Sequence, residues 1–219
     1  MSEKRPEFHD YGIFYAPLFM EAVMATDYTN EVQKLYIAYF GRPADPDGLA
    51  FWINQLQTNP AGYEMISNAF SNSPEYQMMY GGQSNREVVL DIYQNLFGRP
   101  GEQGGVDFWT ARLDEGDITV GNAVIFMSQA AVQANNNDGF VYKARVGVAT
   151  EFTARIDLPT EQSAYSGPAA NQVAIDYVAG VRDMLSASQH MQPSQIDAVI
   201  AQIVGMPSGA GFDDMPLVA

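Results

Sequence analysis

One stretch of the chain is written twice. LYIAYFGRPADPDGLAFWINQL, Leu35 to Leu56, aligns without a gap on IYQNLFGRPGEQGGVDFWTARL, Ile92 to Leu113. Tyr36 matches Tyr93 and Phe40 matches Phe97. Gly41-Arg42-Pro43 matches Gly98-Arg99-Pro100, Gly48 matches Gly105, and Phe51-Trp52 matches Phe108-Trp109. The chain has two tryptophans, and both stand in this register. Self-similarity at a fixed offset marks a duplicated supersecondary unit, so the fold has to accept one local design twice.

Each unit reads as helix, break, helix. Val32, Leu35, Tyr36, Tyr39 and Phe40 recur at the spacing of one helical face, as do Val89, Ile92, Tyr93, Leu96 and Phe97. Gly41 and Gly98 follow, able to take the left-handed conformation that ends a helix, and Pro43 and Pro100 prevent continuation. Arg42 and Arg99 precede proline and are expected to be extended. From there their guanidinium groups are expected to meet the last free carbonyls of the helix. Asp45 is an N-cap for the next helix, with Pro46 at its first position and Asp47 at its positive end. The second unit starts this helix more weakly, around Gly104. A third helix follows, with Tyr63, Ile66 and Phe70 matching Val120, Ala123 and Met127.

Beyond the repeat, Phe140, Ala144, Val148 and Phe152 have helical spacing, as do Val173, Tyr177, Val181 and Leu185 after Ser166 and Pro168. SQIDAVIAQIVG is a last short helix ending at Gly205. No alternating strand pattern stands out. The expected fold is all-α, eight to ten helices in tandem helical hairpins packed into one helical domain. The expected organisation is an N-terminal extension or arm at 1–23, the duplicated repeat at 24–157, a C-terminal helical part at 158–205 packed on it, and a flexible tail at 206–219.

Charge narrows the partners. The formal net charge is −15, which disfavours nucleic acid and anionic headgroups, since both require clustered Lys and Arg. Without cysteine there are no disulfides and no thiolate chemistry. No apolar run is long enough to span a bilayer. The N-terminal stretch has Lys4 and Arg5 before an apolar patch, but Glu7, Asp10, Pro17 and Glu21 interrupt it. It reads as an extension ahead of the domain rather than as a cleaved signal: an upstream leader, a tag, or an arm that docks on a partner protein or mediates self-assembly.

The Asp-Pro-Asp-Gly cluster invites a metal reading, and Asp45 and Asp47 are the candidate ligands. An EF-hand-type calcium loop needs a closing Glu, and Asn54 stands where that Glu would be. The cluster therefore reads as a helix start. His9 lies in the extension and His190 at a helix end near Pro193, which argues against a paired metal site. Ser84 and Glu87 form a capping box rather than a phosphate loop. Asp114, Glu115 and Asp117 read as a solvated turn, as do Asp213 and Asp214. A glycan-active enzyme using two carboxylates such as Asp45 and Asp114 is a third functional class, but nothing selects those two over others. The expectation is no catalytic residue and no cofactor, with calcium as an assisting ion. Aromatic rings, which stack on sugars, here fall first on core positions.

The unit resembles a domain-of-unknown-function family of bacterial exoproteins whose hallmark is an LYxxxFGRxPDxxGLxYW-like repeat. SNAFSNSPEYQ, VGVATEFTARID and EQSAYSGPAAN resemble segments that follow it in surface-layer and repeat-in-toxin type I secreted proteins. The resemblance implies a helical, non-enzymatic module at the cell surface or outside the cell, attached to lipopolysaccharide or to a partner protein with the help of calcium. The glycine- and aspartate-rich nonapeptide repeats of those proteins are not in this chain. A looser resemblance, to phycobilisome linker domains, implies the alternative of a linker or scaffold subunit.

Overall fold

The five apolar positions that define the first unit's opening helix all go inside. In the computed structural model, which describes residues 28–59, 62–134 and 136–206, this helix is α1, Tyr28–Phe40. It is followed by α2 (Pro46–Thr58), α3 (Gly62–Ser71), α4 (Pro74–Tyr80), α5 (Asn85–Phe97) and α6 (Gln103–Asp114). Then come α7 (Val120–Ala134), α8 (Asn137–Arg155), α9 (Pro159–Ala164), α10 (Gly167–Ala179), α11 (Met184–His190) and α12 (Pro193–Val204). Among the described residues there is no strand, and the domain is all-α. There are twelve helices among the described residues, against the expected eight to ten. The difference lies in short pieces such as α9 and α11, whose six and seven residues are too few to show a helical period. The proposed arm at 1–23 and the tail from 207 onward lie outside the described residues.

The unit boundaries follow their local chemistry. Gly41 and Gly98 both take positive φ, 67° and 70°, and their amides close the helices on Ile37 and Gln94. Asp45 Oδ1 accepts from Gly48 N at 2.7 Å, capping α2. Ser73 caps α4, Ser84 and Glu87 form their capping box at α5, and Glu102 precedes α6 without a side-chain cap. The repeated glycine of the second helix has a steric cause. A Cβ on Gly48 would lie 2.4 Å from Tyr36 Oη, and one on Gly105 would lie 2.5 Å from Tyr93 Oη. Each glycine makes room for the tyrosine hydroxyl of its own unit.

The last carbonyls of the repeated helix find partners other than the expected ones. Asn95 Nδ2 donates to the Ala38 carbonyl at the end of α1. Arg145 Nη1 donates to the Gln94 and Asn95 carbonyls at the end of α5, each at 2.7 Å. Arg145 is 1% exposed and also donates to the carbonyls of Val181 and Ala179, so it sits where α5 and α10 both end. Burial, with Arg182 nearby, lowers its pKa to about 10. Two negative helix ends supply the compensation that a carboxylate would supply elsewhere.

Helix α8 joins the parts. Tyr142, Val146 and Ala149 belong to the large core shared with α1, α5 and α7. Phe152 and Ile156 pack with Tyr165, Ala174, Ile196 and Ile200 of the C-terminal helices, and Val148 meets Val181 and Ala187. A buried polar tie fixes the first break to the same helix. Gln33 Nε2 donates to Thr153 Oγ1 at 2.8 Å, Gln33 Oε1 accepts from Ala44 N, and Thr153 Oγ1 donates to the Ala44 carbonyl.

Candidate functional site

The arginines of the two breaks do the same job in both units, and it is not the one their position suggested. Arg42 binds Glu75 at two points, Nε to Oε1 and Nη2 to Oε2, each 2.7 Å. Arg99 binds Asp138 in the same way, at 2.7 and 2.5 Å. Glu75 and Asp138 are each the second residue of a helix, α4 and α8, where a carboxylate also faces the positive helix end. Each arginine keeps one nitrogen for the following proline, Arg42 Nη1 to Pro43 O and Arg99 Nη1 to Pro100 O. The break of one unit is thus latched to the helix that comes after its third helix. Sequence spacing gave no hint of this, because Arg42 and Glu75 are 33 residues apart and Arg99 and Asp138 are 39 apart.

The units differ in what covers them. In the first, Trp52 is 6% exposed and meets Phe70 edge-on at 5.4 Å. Tyr165, from the turn after α9, lies over the Arg42 guanidinium at 5.7 Å and donates to Pro43 O at 2.7 Å. Asn171 of α10 donates to Glu75. In the second unit Met127 replaces Phe70, and no residue of the described chain takes the place of Tyr165. The Arg99 side chain is 31% exposed against 8% for Arg42. Trp109 packs against the same core but is only half-buried.

Two recesses flank Trp109. One, of about 260 Å³, is lined by Tyr93, Arg99, Glu102, Trp109, Met127 and Asp138 among others. The other, of about 420 Å³, is a groove lined by Phe108, Trp109, Arg112, Asp117, Ile118 and Phe126. In the groove the rings of Trp109 and Phe126 are nearly parallel, 13° apart with centroids 6.5 Å apart. Phe108 and Phe126 are 52% and 45% exposed. Arg112 lies over the Phe108 ring and pairs with Asp117. In the same register the first unit has Gln55, Pro60, Ala61 and Ala69 where the second has Arg112, Asp117, Ile118 and Phe126. The groove is therefore a property of the second unit and not of the shared scaffold.

The remaining candidates resolve into structural roles. Asp45 caps α2, with Arg42 Nη1 4.0 Å from its other oxygen, and Asp47 is exposed. A cation beside Arg42 would compete with an existing guanidinium. Among the described residues no group of three His, Asp or Glu side chains is placed to hold a metal. Asp114 accepts from Asn85 and Asp117 pairs with Arg112, so the acidic turn carries structural contacts as well as solvated charge. His190 Nδ1 lies 2.7 Å from the Ser186 carbonyl and its ring packs on Tyr177. His9, Asp213 and Asp214 lie outside the described residues.

The family model for the domain of unknown function DUF4214 matches residues 14–80 and again 67–137. The chain belongs to the DUF4214 family. The two DUF4214 matches share residues 67–80, which hold the end of α3 and all of α4. The helix that carries Glu75 therefore closes one unit and opens the next, and the second match stops beside Asp138, which does for Arg99 what Glu75 does for Arg42. No curated protein and no solved structure matches this DUF4214 chain. No described helix is long and apolar enough to cross a membrane.

Proposed function

We propose that the chain is a non-enzymatic structural or anchoring module of the cell surface or exterior, surface-layer-like, which attaches to lipopolysaccharide or a partner protein. The observation that carries this reading is the aromatic groove of the second unit. Phe108, Trp109 and Phe126 present flat apolar faces beside a donor–acceptor pair, Arg112 and Asp117. Such a combination suits sugar rings or the side chains of a protein surface. The first unit folds the same way without it, so folding does not require it. The resemblance to surface-layer and repeat-in-toxin exoproteins, reached by type I secretion, supports the same setting, as does the absence of cysteine.

Charge dictates how such attachment works. At −15 the chain is repelled by anionic lipopolysaccharide unless divalent ions bridge its carboxylates to the ligand's phosphates. The test is co-sedimentation with washed cell envelopes, with calcium and with chelator, for the natural chain and for R112Q/I118A/F126A, which restores first-unit residues. The reading expects retention that falls about tenfold in the variant, the loss of one aromatic stack and its polar partner. Equal retention of the two proteins contradicts it.

A second reading, a linker or scaffold subunit of a larger assembly, phycobilisome-linker-like, is favoured by Met184 and Leu185. These neighbours at the start of α11 are 73% and 70% exposed. Sedimentation of purified M184S/L185S against the natural chain tests it, with a smaller assembly expected for the variant.

A further inference from the structure

The second unit has its aromatic groove and its unpaired acids together, and the first unit has neither. Where the first unit has Gln57, Thr58, Pro60 and Ala69, the second has Asp114, Glu115, Asp117 and Phe126. Asp117 is paired with Arg112. Asp114 takes the neutral Asn85 amide, and among the described residues neither Asp114 nor Glu115 has a cationic partner. Their turn is folded tightly on the end of α6, with Asp117 N donating to the Arg112 carbonyl at 3.0 Å. Arg112, Asp117 and Ile118 there line the groove. Elsewhere the chain meets such surroundings with an arginine. Arg42 lies over Tyr36 and binds Glu75, Arg99 lies over Tyr93 and binds Asp138, and Arg112 lies over Phe108 and pairs with Asp117. Each guanidinium has both an aromatic face and a carboxylate. The groove holds two further rings, the nearly parallel Trp109 and Phe126, and among the described residues no cation lies over either.

We infer that the groove takes an arginine side chain presented by a basic segment of a partner protein. The inference rests on the reading of the groove as an attachment surface and names what it attaches to. Charge complementarity selects the occupant. From Gln103 to Ala134 the chain has one arginine and no lysine against four acids. Arg86 and Arg112 neutralise Asp107 and Asp117, which leaves Asp114 and Glu115 beside the groove. A phosphate-bearing surface is repelled there, and a neutral sugar makes no use of the net charge. A guanidinium uses both features, since it stacks flat on aromatic rings and pairs with carboxylates. Indole is the strongest aromatic partner for a cation. The net charge of −15 draws a basic partner toward the chain before contact, which raises the rate of association.

The probe is a short glycine peptide, capped at both ends, that carries two arginines. Matched peptides carry citrulline or glutamate instead. Each is titrated into the natural chain, with heat and tryptophan emission recorded. Trp52 is buried and Trp109 lines the groove, so the emission change belongs to Trp109 and W109F should lose it. The arginine peptide should bind saturably, about tenfold more tightly than the citrulline peptide, which keeps the flat shape and loses the charge. Its affinity should fall as salt is raised, and the glutamate peptide should not bind. F126A, at a position 45% exposed, should weaken binding about fivefold with helicity unchanged, and D114N/E115Q about threefold. Equal binding of the citrulline peptide overturns the inference. So does an absence of binding, or binding that F126A leaves unchanged. Saturable binding of N-acetylglucosamine in the peptide's place overturns it in favour of a glycan. In the envelope assay, saturating arginine peptide should release the bound chain. Should R112Q/I118A/F126A lose retention while the peptide neither binds nor competes, the attachment reading stands and this inference falls. Should the variant keep full retention, the attachment reading falls, and the peptide titration by itself decides whether the groove holds arginine.

Discussion

Arg42 grips Glu75 through two hydrogen bonds of 2.7 Å, and this pair ties the break after the first helix of the unit to the start of its fourth. The Arg42 side chain is 8% exposed and that of Glu75 26%, so water does little to replace a lost partner. Arg42→Gln should lower stability by about 3 kcal/mol, the cost of leaving a mostly buried carboxylate without its cation. Arg99→Gln, at the more exposed pair, should cost about 1 kcal/mol. Urea unfolding followed by helicity measures both. Equal losses would show that the two latches are covered alike.

Much of this frame is legible before any coordinates. The duplicated helix, its left-handed glycine, the Asp45 cap and the Ser84–Glu87 box are local signals, and each is where the residues place it. What escapes the sequence is long-range pairing. Nothing in the spacing connects Arg99 to Asp138, or Arg145 to the carbonyls of Gln94 and Asn95, because those contacts depend on how helices pack. The groove was hidden for a related reason. Trp109 reads as a core position on helical period, and only packing reveals that it shares a groove with Phe126, which the core period of its helix leaves out.

The repeated glycine is a prediction in itself. Gly48→Ala should destabilise by about 2 kcal/mol, since its methyl group would sit against Tyr36 Oη. Y36F/G48A should recover part of that loss, because the nearest oxygen is gone while the Asp45 carboxylate, 2.8 Å from the same position, remains. A double-mutant cycle by thermal or urea unfolding checks the coupling. Additive losses would contradict the steric explanation.

Asp91 offers a stabilising change. Its Oδ2 is buried without a donor, and so is Oε1 of the neighbouring Gln83. Burial raises the Asp91 pKa, so ionisation costs stability as pH rises through the ordinary carboxylate range near 4. Asp91→Asn removes that cost and gives Gln83 a donor. It should raise stability at neutral pH, with the gain shrinking in acid. Unfolding at neutral and acidic pH tests both statements.

Alkali should unfold the protein cooperatively. Burial pushes Tyr76, Tyr165 and Tyr177 up to about 12, and Tyr36, Tyr39, Tyr63 and Tyr142 further above their ordinary value. In the unfolded chain these phenols ionise near 10. The folded state then binds more protons than the unfolded one above that pH, and stability falls as pH rises through it. Arg145 works in the opposite sense, since its pKa is lowered to about 10, but it is one group against seven. Tyrosinate absorbance and helicity should change together above pH 10, as one transition. Gradual ionisation with helicity intact would contradict the burial of these rings.

The central claim is that one frame is built twice, sealed around Trp52 and open around Trp109. Acrylamide quenching of single-tryptophan chains, W109F and W52F, tests it most directly. Trp109 should be quenched severalfold more efficiently than Trp52. Equal quenching of the two indoles, in chains of equal helicity, would contradict the account.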